Sequence, residues 1–190
     1  GELGRSLQFD QPAMDLIKQR FPVSLGIAGL CLLFVYLVGI PIGIYSAVKR
    51  YSLGDYVVTF LGFLGVGIPS FLSALIFIFL YYKITGQAQL GLFSSAYIDA
   101  PWRLGKLFDL IKHLWLPIII ISAQPLASTI RQMRANLLDE LEKPYVMVAR
   151  SKGLTNKKLL YKYPVRLAIN PIVSTIGWTL PNLINNMLLA

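Results

Sequence analysis

The stretch VSLGIAGLCLLFVYLVGIPIGIYSAV, residues 23–48, decides the class of this protein, because its 26 residues contain no Asp, Glu, Lys or Arg. A helix rises 1.5 Å per residue, and about 20 apolar residues cross the hydrocarbon of a bilayer. Three further uncharged stretches follow: 56–82 with 27 residues, 114–130 with 17, and 167–190 with 24. The third is short, but Trp115 near one end and snorkelling Arg131 and Arg134 at the other extend it to about 114–134. Of the 190 residues 55% are hydrophobic, and the mean hydropathy of +0.60 exceeds what a soluble surface tolerates. The expectation is an all-α, polytopic membrane protein with about four spans, at 23–48, 56–82, 114–134 and 167–190, and no separate soluble domain.

The formal charge of +9 comes from 18 Lys and Arg against 9 Asp and Glu. These basic residues fall between the spans and not on one soluble face, so a positive-inside bias accounts for them and nucleic acid is not expected as a partner. Four crossings place the loops 49–55 and 131–166 on one side, with 1–22 and 83–113 on the other. The first side carries eleven basic residues and the second seven, which assigns the first to the cytoplasm. The single cysteine, Cys31, excludes an intrachain disulfide and behaves as a small hydrophobe within its apolar run. The chain starts at Gly1 without a Met and ends in an apolar stretch at Ala190, and it is read as part of a longer one with a span missing upstream.

On the outer side Leu104, Leu107, Phe108 and Ile111 recur at helical spacing, with Lys106, Asp109 and Lys112 opposite. This is either a short helix lying at the membrane surface or a loop with accidental periodicity. Within the spans no nucleophile with a base, carboxylate pair or ligand cluster appears, so no catalytic, cofactor or metal site is expected. The single histidine, His113, sits at the edge of a span beside Trp115 and is read as an interfacial residue. No Gly-rich loop ending in Gly-Lys-Ser/Thr is present, so ATP coupling has to come from another chain.

Gly39 and Gly43 share one helix face around Pro41, a pattern that serves close helix packing. Gly62, Gly65, Gly67 and Pro69 crowd the middle of the second stretch, with Ser70 directly after; they serve either close helix packing or a bent helix beside a pathway. In the last stretch Asn170, Ser174, Trp178, Pro181 and Asn185 form one stripe, and Thr175, Asn182 and Asn186 the adjoining one. Polar side chains facing lipid are costly, so the stripe faces either a water-accessible path or another helix. Pro69, Ser70, Ser174, Trp178, Asn182 and Asn185 are the candidate pathway residues.

The loop at about 136–165 is too organised for a connector. Residues 137–142 continue a helix out of the membrane, Pro144 suits the first position of a new helix, and Gly153 stops it. Thr155 is placed to cap a third helix, running through Leu159 and Leu160 towards Pro164. A two-turn helix exposing Val146, Ala149 and Leu154 beside Arg150 and Lys152 has little reason to stand alone in water, and is read as a docking element.

The sequence PYVMVARSKGL at 144–154 resembles the cytoplasmic coupling motif of permease subunits from ABC importers of the dipeptide/oligopeptide/nickel class. The pattern Tyr-Val-x-x-Ala-Arg-x-Lys-Gly-Leu is met at Tyr145, Val146, Ala149, Arg150, Lys152, Gly153 and Leu154. The broader Glu-Ala-Ala motif with its following Gly is met only at Ala149 and Gly153, with Met147 and Val148 replacing Glu and Ala. GELGRS at 1–6, RFPVSL at 20–25, GIPSF at 67–71 and RANLL at 134–138 are similar to segments of the same permeases in the same order.

The resemblance implies a type I permease-like helical bundle in the lipid of a bacterial or archaeal cytoplasmic (inner) membrane, forming half of a path for peptides or similar small solutes. The seven matched residues would contact an ATPase. Implied partners are two cytoplasmic ATP-binding subunits, which would hold the ATP, a second homologous permease, and an extracytoplasmic solute-binding protein. The rival reading is a secondary transporter or channel subunit. That class brings an intramembrane ionisable residue, an inverted repeat or a filter sequence, and none is found. Which solute is carried is left open.

Overall fold

Eight helices form among the residues that the computed structural model describes, 4–6, 11–86 and 103–189. The similarities read at 1–3 lie outside the described residues. Helix α1, Ala13–Val48, has 36 residues and is about 54 Å long at 1.5 Å per residue, so it begins well before the uncharged stretch. After a turn through Tyr51, which has φ 65°, Ser52 caps α2 (Leu53–Gly67) by accepting from the Asp55 N–H at 3.2 Å.

The stretch expected as one bent span at 56–82 is two helices. Helix α2 stops at Gly67, α3 (Ser70–Thr85) starts after Pro69, and the axes turn by 113° between them. Proline disfavours helical geometry in the residue before it, and Ile68 is accordingly extended at φ −88°, ψ 126°. A glycine-rich helix end followed by Ile68-Pro69 breaks the helix outright where the sequence suggested a bend.

Helix α4 (Leu104–Leu141) runs 38 residues and absorbs both the third stretch and the segment expected at the membrane surface. Residues 104–112 are its first turns, not a separate surface helix or a loop. Lys106, assigned to the watery face, is buried, whereas Phe108 and Ile111 are exposed. Periodicity separates two faces without saying which meets protein, and beside lipid the apolar face is the outer one. The side chains of Leu104 and Leu107, and the segment 87–102, lie outside the described residues.

Three short helices follow: α5 (Pro144–Ser151), α6 (Asn156–Lys162) and α7 (Pro164–Ser174). Helix α8 (Ile176–Leu189) leaves the α6–α7 unit with a bend of 50°, so the last stretch starts at Pro164 and is not one straight helix. At the joint the N–H and Oγ1 of Thr175 both donate to the Ile172 carbonyl, at 3.1 and 2.8 Å, which tightens the last turn of α7.

Helix α4 is the central post, packed against α1, α2, α3, α7 and α8. Gly43 lets α1 approach it: a Cβ there would lie 2.6 Å from the Met133 Cβ and 2.9 Å from the Ile130 carbonyl oxygen. Around this crossing Ile44, Ala47, Met133, Leu137, Val165, Ala168 and Ile172 form the largest core cluster. Cys31 is fully buried against Ala28 and Leu183, joining α1 to α8. Leu37, Phe60, Phe63 and Phe79 point outward, as suits a lipid surround. Among the described residues, helices α1 and α4 are each long and apolar enough to cross a membrane, and up to four crossings result if each bent pair is one span.

Candidate functional site

A polar groove of about 440 Å³ opens between α4, α8 and the end of α2. Helix α4 contributes Gln124, Ser128 and Gln132, spaced i, i+4, i+8 and so aligned on one face. Across from them stand Thr175 at the joint and, from α8, Trp178, Asn182 and Asn185, with Val66 of α2 at the margin. Amides and hydroxyls of this kind donate and accept hydrogen bonds without fixing a charge. Trp178 is 75% exposed.

Of the six candidate pathway residues, the groove gathers Trp178, Asn182 and Asn185. Ser174 is exposed on α7 and donates to the Asn170 carbonyl at 3.0 Å. The stripe was drawn for a straight helix, and the bend after Ser174 separates its two halves. Pro69 and Ser70 form the α2–α3 corner and do not line this groove. The side chain of Asn186 lies outside the described residues. Gln124, Ser128 and Gln132 were missed, although their four-residue spacing within the apolar third stretch was a readable signal.

Helix α5 packs with the face opposite to the expected one outward. Val146 and Ala149 are buried, 2% and 9% exposed, against Leu159 of α6, with Tyr145, Leu154 and Tyr163 around them. The apolar residues that remain exposed are Met147 and Val148, flanked by Arg150 and Lys152. Leu159 and Tyr163 supply the apolar cover for Val146 and Ala149, and a sequence pattern does not reveal such a partner two turns on. Gly153 ends the turn at φ 76°, the left-handed region favoured by glycine. Thr155 occupies the cap position of α6, but its side chain makes no capping bond, contrary to expectation.

The start of α5 is clasped to the end of α4. The Tyr145 hydroxyl donates to Glu140 Oε2 at 2.7 Å, and Lys143 Nζ donates to Oε1 at 2.6 Å. These donors, Lys143 first, hold the Glu140 carboxyl below its ordinary value. Burial, with the bond to Glu140, pushes the Tyr145 hydroxyl up to about 12, so it remains a donor at neutral pH. Asn136 Nδ2 donates to the Ala168 carbonyl at 3.1 Å and ties α4 to α7.

Nearly two turns before this clasp on α4, Arg134 does not snorkel away from the bundle. Its Nε and Nη2 donate to Asp55 Oδ1 and Oδ2 at 2.8 and 2.9 Å, a bidentate pair. Ser46 Oγ of α1 and the Tyr51 N–H also donate to the Asp55 carboxylate, the latter at 3.0 Å. Arg131 lies over the Phe63 ring, 5.7 Å from its centroid.

Residues 39–190 match the family described as "Binding-protein-dependent transport system inner membrane component". The chain belongs to this family. The family read from the sequence is thus the right one, and the all-α fold agrees with it. It is 31% identical over 185 residues to the oligopeptide transport system permease protein AppB of Bacillus subtilis (strain 168), across 97% of the chain and 57% of that protein. It is also 31% identical over 193 residues to the dipeptide transport system permease protein DppB of Escherichia coli (strain K12), across 93% of the chain and 57% of DppB. The putrescine export system permease protein SapB of Escherichia coli (strain K12) is 27% identical over 183 residues, across 88% of the chain and 57% of SapB. The chain thus spans a little over half the length of the curated relatives it matches.

Proposed function

We propose that this chain belongs to the permease of an ATP-driven importer and contributes half of a translocation path for peptides or similar small solutes. The groove between α4 and α8 is part of the path wall, and α5 is the element that docks on an ATPase. The observation that supports this most is continuity: one unbroken helix, α4, carries Gln124, Ser128 and Gln132 in the groove and Glu140 at the clasp on Tyr145. A push on α5 is carried along α4 to Gln132 and Ser128 before Pro125 removes a helix hydrogen bond. In this reading the loop 131–166 faces the cytoplasm and ATP is held by two partner ATP-binding subunits. A second related permease completes the path, and an extracytoplasmic binding protein delivers the solute. The family's description as binding-protein-dependent supports the import direction.

The docking surface is the exposed face of Met147, Val148, Arg150 and Lys152, with Val146, Ala149, Leu154 and Tyr145 behind it and Gly153 setting its end. Replacing Met147→Glu and Val148→Glu together puts two carboxylates on that face without disturbing the packing beneath. The full-length subunit is expected to reach the membrane at normal levels and to lose co-purification with its ATPases. Unchanged co-purification and unchanged solute uptake would sink the docking assignment.

A further inference from the structure

Asp55 is the most deeply buried charged residue among those described, at 2% exposed, and the path and docking roles above do not use it. Its carboxylate gathers donors from three parts of the fold: Ser46 in α1, the Tyr51 N–H in the turn, and Arg134 in α4. Thr59, one turn into α2, adds a long contact at 3.4 Å. An exposed pair between Arg50, in the turn before α2, and Glu142, just past the end of α4, lies nearer the surface at 3.5 Å, where such pairs contribute little.

Two facts decide what this cluster does. A buried ion pair often contributes no more to stability than an apolar pair of the same volume, whereas a bidentate guanidinium–carboxylate contact fixes both distance and angle. Its place in the fold is the second fact. Arg134 lies six residues before Glu140 on α4, about 9 Å along the helix, so the joint sits beside the clasp that holds α5. On the other side Asp55 is in the first turn of α2, the helix whose far end puts Val66 at the groove.

We propose that Asp55 and Arg134 are positioning residues that pin the start of α2 to α4, so that a displacement of α5 carries the α2 margin of the groove along with its α4 wall, relative to α8. Without the pin α4 still follows α5, but α2 slides over an apolar contact and lags behind, so the groove changes its opening far less. The proposal rests on the reading of α5 as the docking element and of the groove as path wall.

The test uses the complete transporter in lipid nanodiscs, with Asn182→Cys as a groove reporter in a Cys31→Ala background. A membrane-impermeant maleimide is the probe, applied without nucleotide and after trapping with ATP and vanadate. With Asp55 present, the labelling rate is expected to change at least tenfold between the two conditions. With Asp55→Asn, ATPase association and ATP hydrolysis are expected to stay within about twofold, while the nucleotide-dependent change in labelling shrinks below twofold. A full labelling response in Asp55→Asn overturns the joint alone. No response in the transporter that retains Asp55 overturns the path reading, and the joint with it. Loss of hydrolysis and association together with the response makes the pair a structural staple and also overturns the proposal. If Asp55→Asn does not accumulate, Ser46→Ala removes one donor and leaves the ion pair. A two- to fivefold smaller response then supports the joint, and an unaltered one refutes it.

Discussion

Val146→Ala and Met147→Ala differ by one position on α5 and should have opposite consequences. Val146 is 2% exposed and packed against Leu159 and its neighbours, so the substitution deletes two buried methyl groups. At about 0.8 kcal/mol for each buried carbon, plus a cavity that Leu159 and Tyr163 do not fully close, the loss is about 2 kcal/mol. That raises the population in which α5 lifts off α6 about 30-fold. Met147 is 62% exposed, and its truncation should alter stability by less than about 0.5 kcal/mol. Burying the same side chain against a partner would contribute about 1 kcal/mol or more, so Met147→Ala should weaken ATPase affinity at least about fivefold. Hydrogen exchange of the amides at 146–153, measured on the subunit without ATPases, reads the first effect. Titration of the isolated ATPase reads the second. If Met147→Ala accelerates exchange as much as Val146→Ala, or Val146→Ala leaves exchange unaltered, α5 is packed the other way round and the docking face has been misassigned.

Gly43→Ala should lower the thermal stability of the detergent-solubilised subunit by about 1–3 kcal/mol, because its Cβ would sit 2.6 Å from that of Met133. Met133→Ala should not rescue it, since alanine keeps the offending Cβ and the Ile130 carbonyl is backbone; rescue by that change would mean that the helices cross elsewhere. Asn182→Leu in the groove should reduce solute uptake at unchanged membrane levels, whereas Ser174→Leu, on the exposed side of the bend, should have little effect; equal effects in uptake assays would argue against the groove. Gly153→Ala meets no atom within 4 Å, so its cost of about 1–2 kcal/mol is purely that of holding φ 76° with a side chain. Faster tryptic cleavage around Lys152 and Lys157 is the expected sign, and wild-type cleavage would show that the turn tolerates other geometries.

Much of the candidate site was legible because it depends on local chemistry. Pro144 at a helix start and Gly153 at its end fix α5 whatever surrounds it, and the seven matched positions of 144–154 marked it as a member of its family. Trp178, Asn182 and Asn185 were readable because polar groups in an apolar stretch have to face something other than lipid. Gln124, Ser128 and Gln132 obey the same rule, but they were overlooked where the apolar stretch was judged only for its length.

What the amino-acid sequence determined by itself was everything carried by hydropathy and backbone chemistry: the uncharged stretches, the proline and glycine positions at which helices start and stop, and the family motif. Tertiary structure decided which face of each helix looks inward. Val146 and Ala149 turned inside because Leu159 and Tyr163 offered an apolar surface, and Lys106 turned inside while Phe108 and Ile111 faced outward. It also decided the pairing of Asp55 with Arg134, 79 residues apart, where each had read as a loop charge or a snorkelling one. Helical periodicity defines a stripe, but the energy of that stripe depends on what lies across from it. That partner is set only when α4 is packed among α1, α2, α7 and α8.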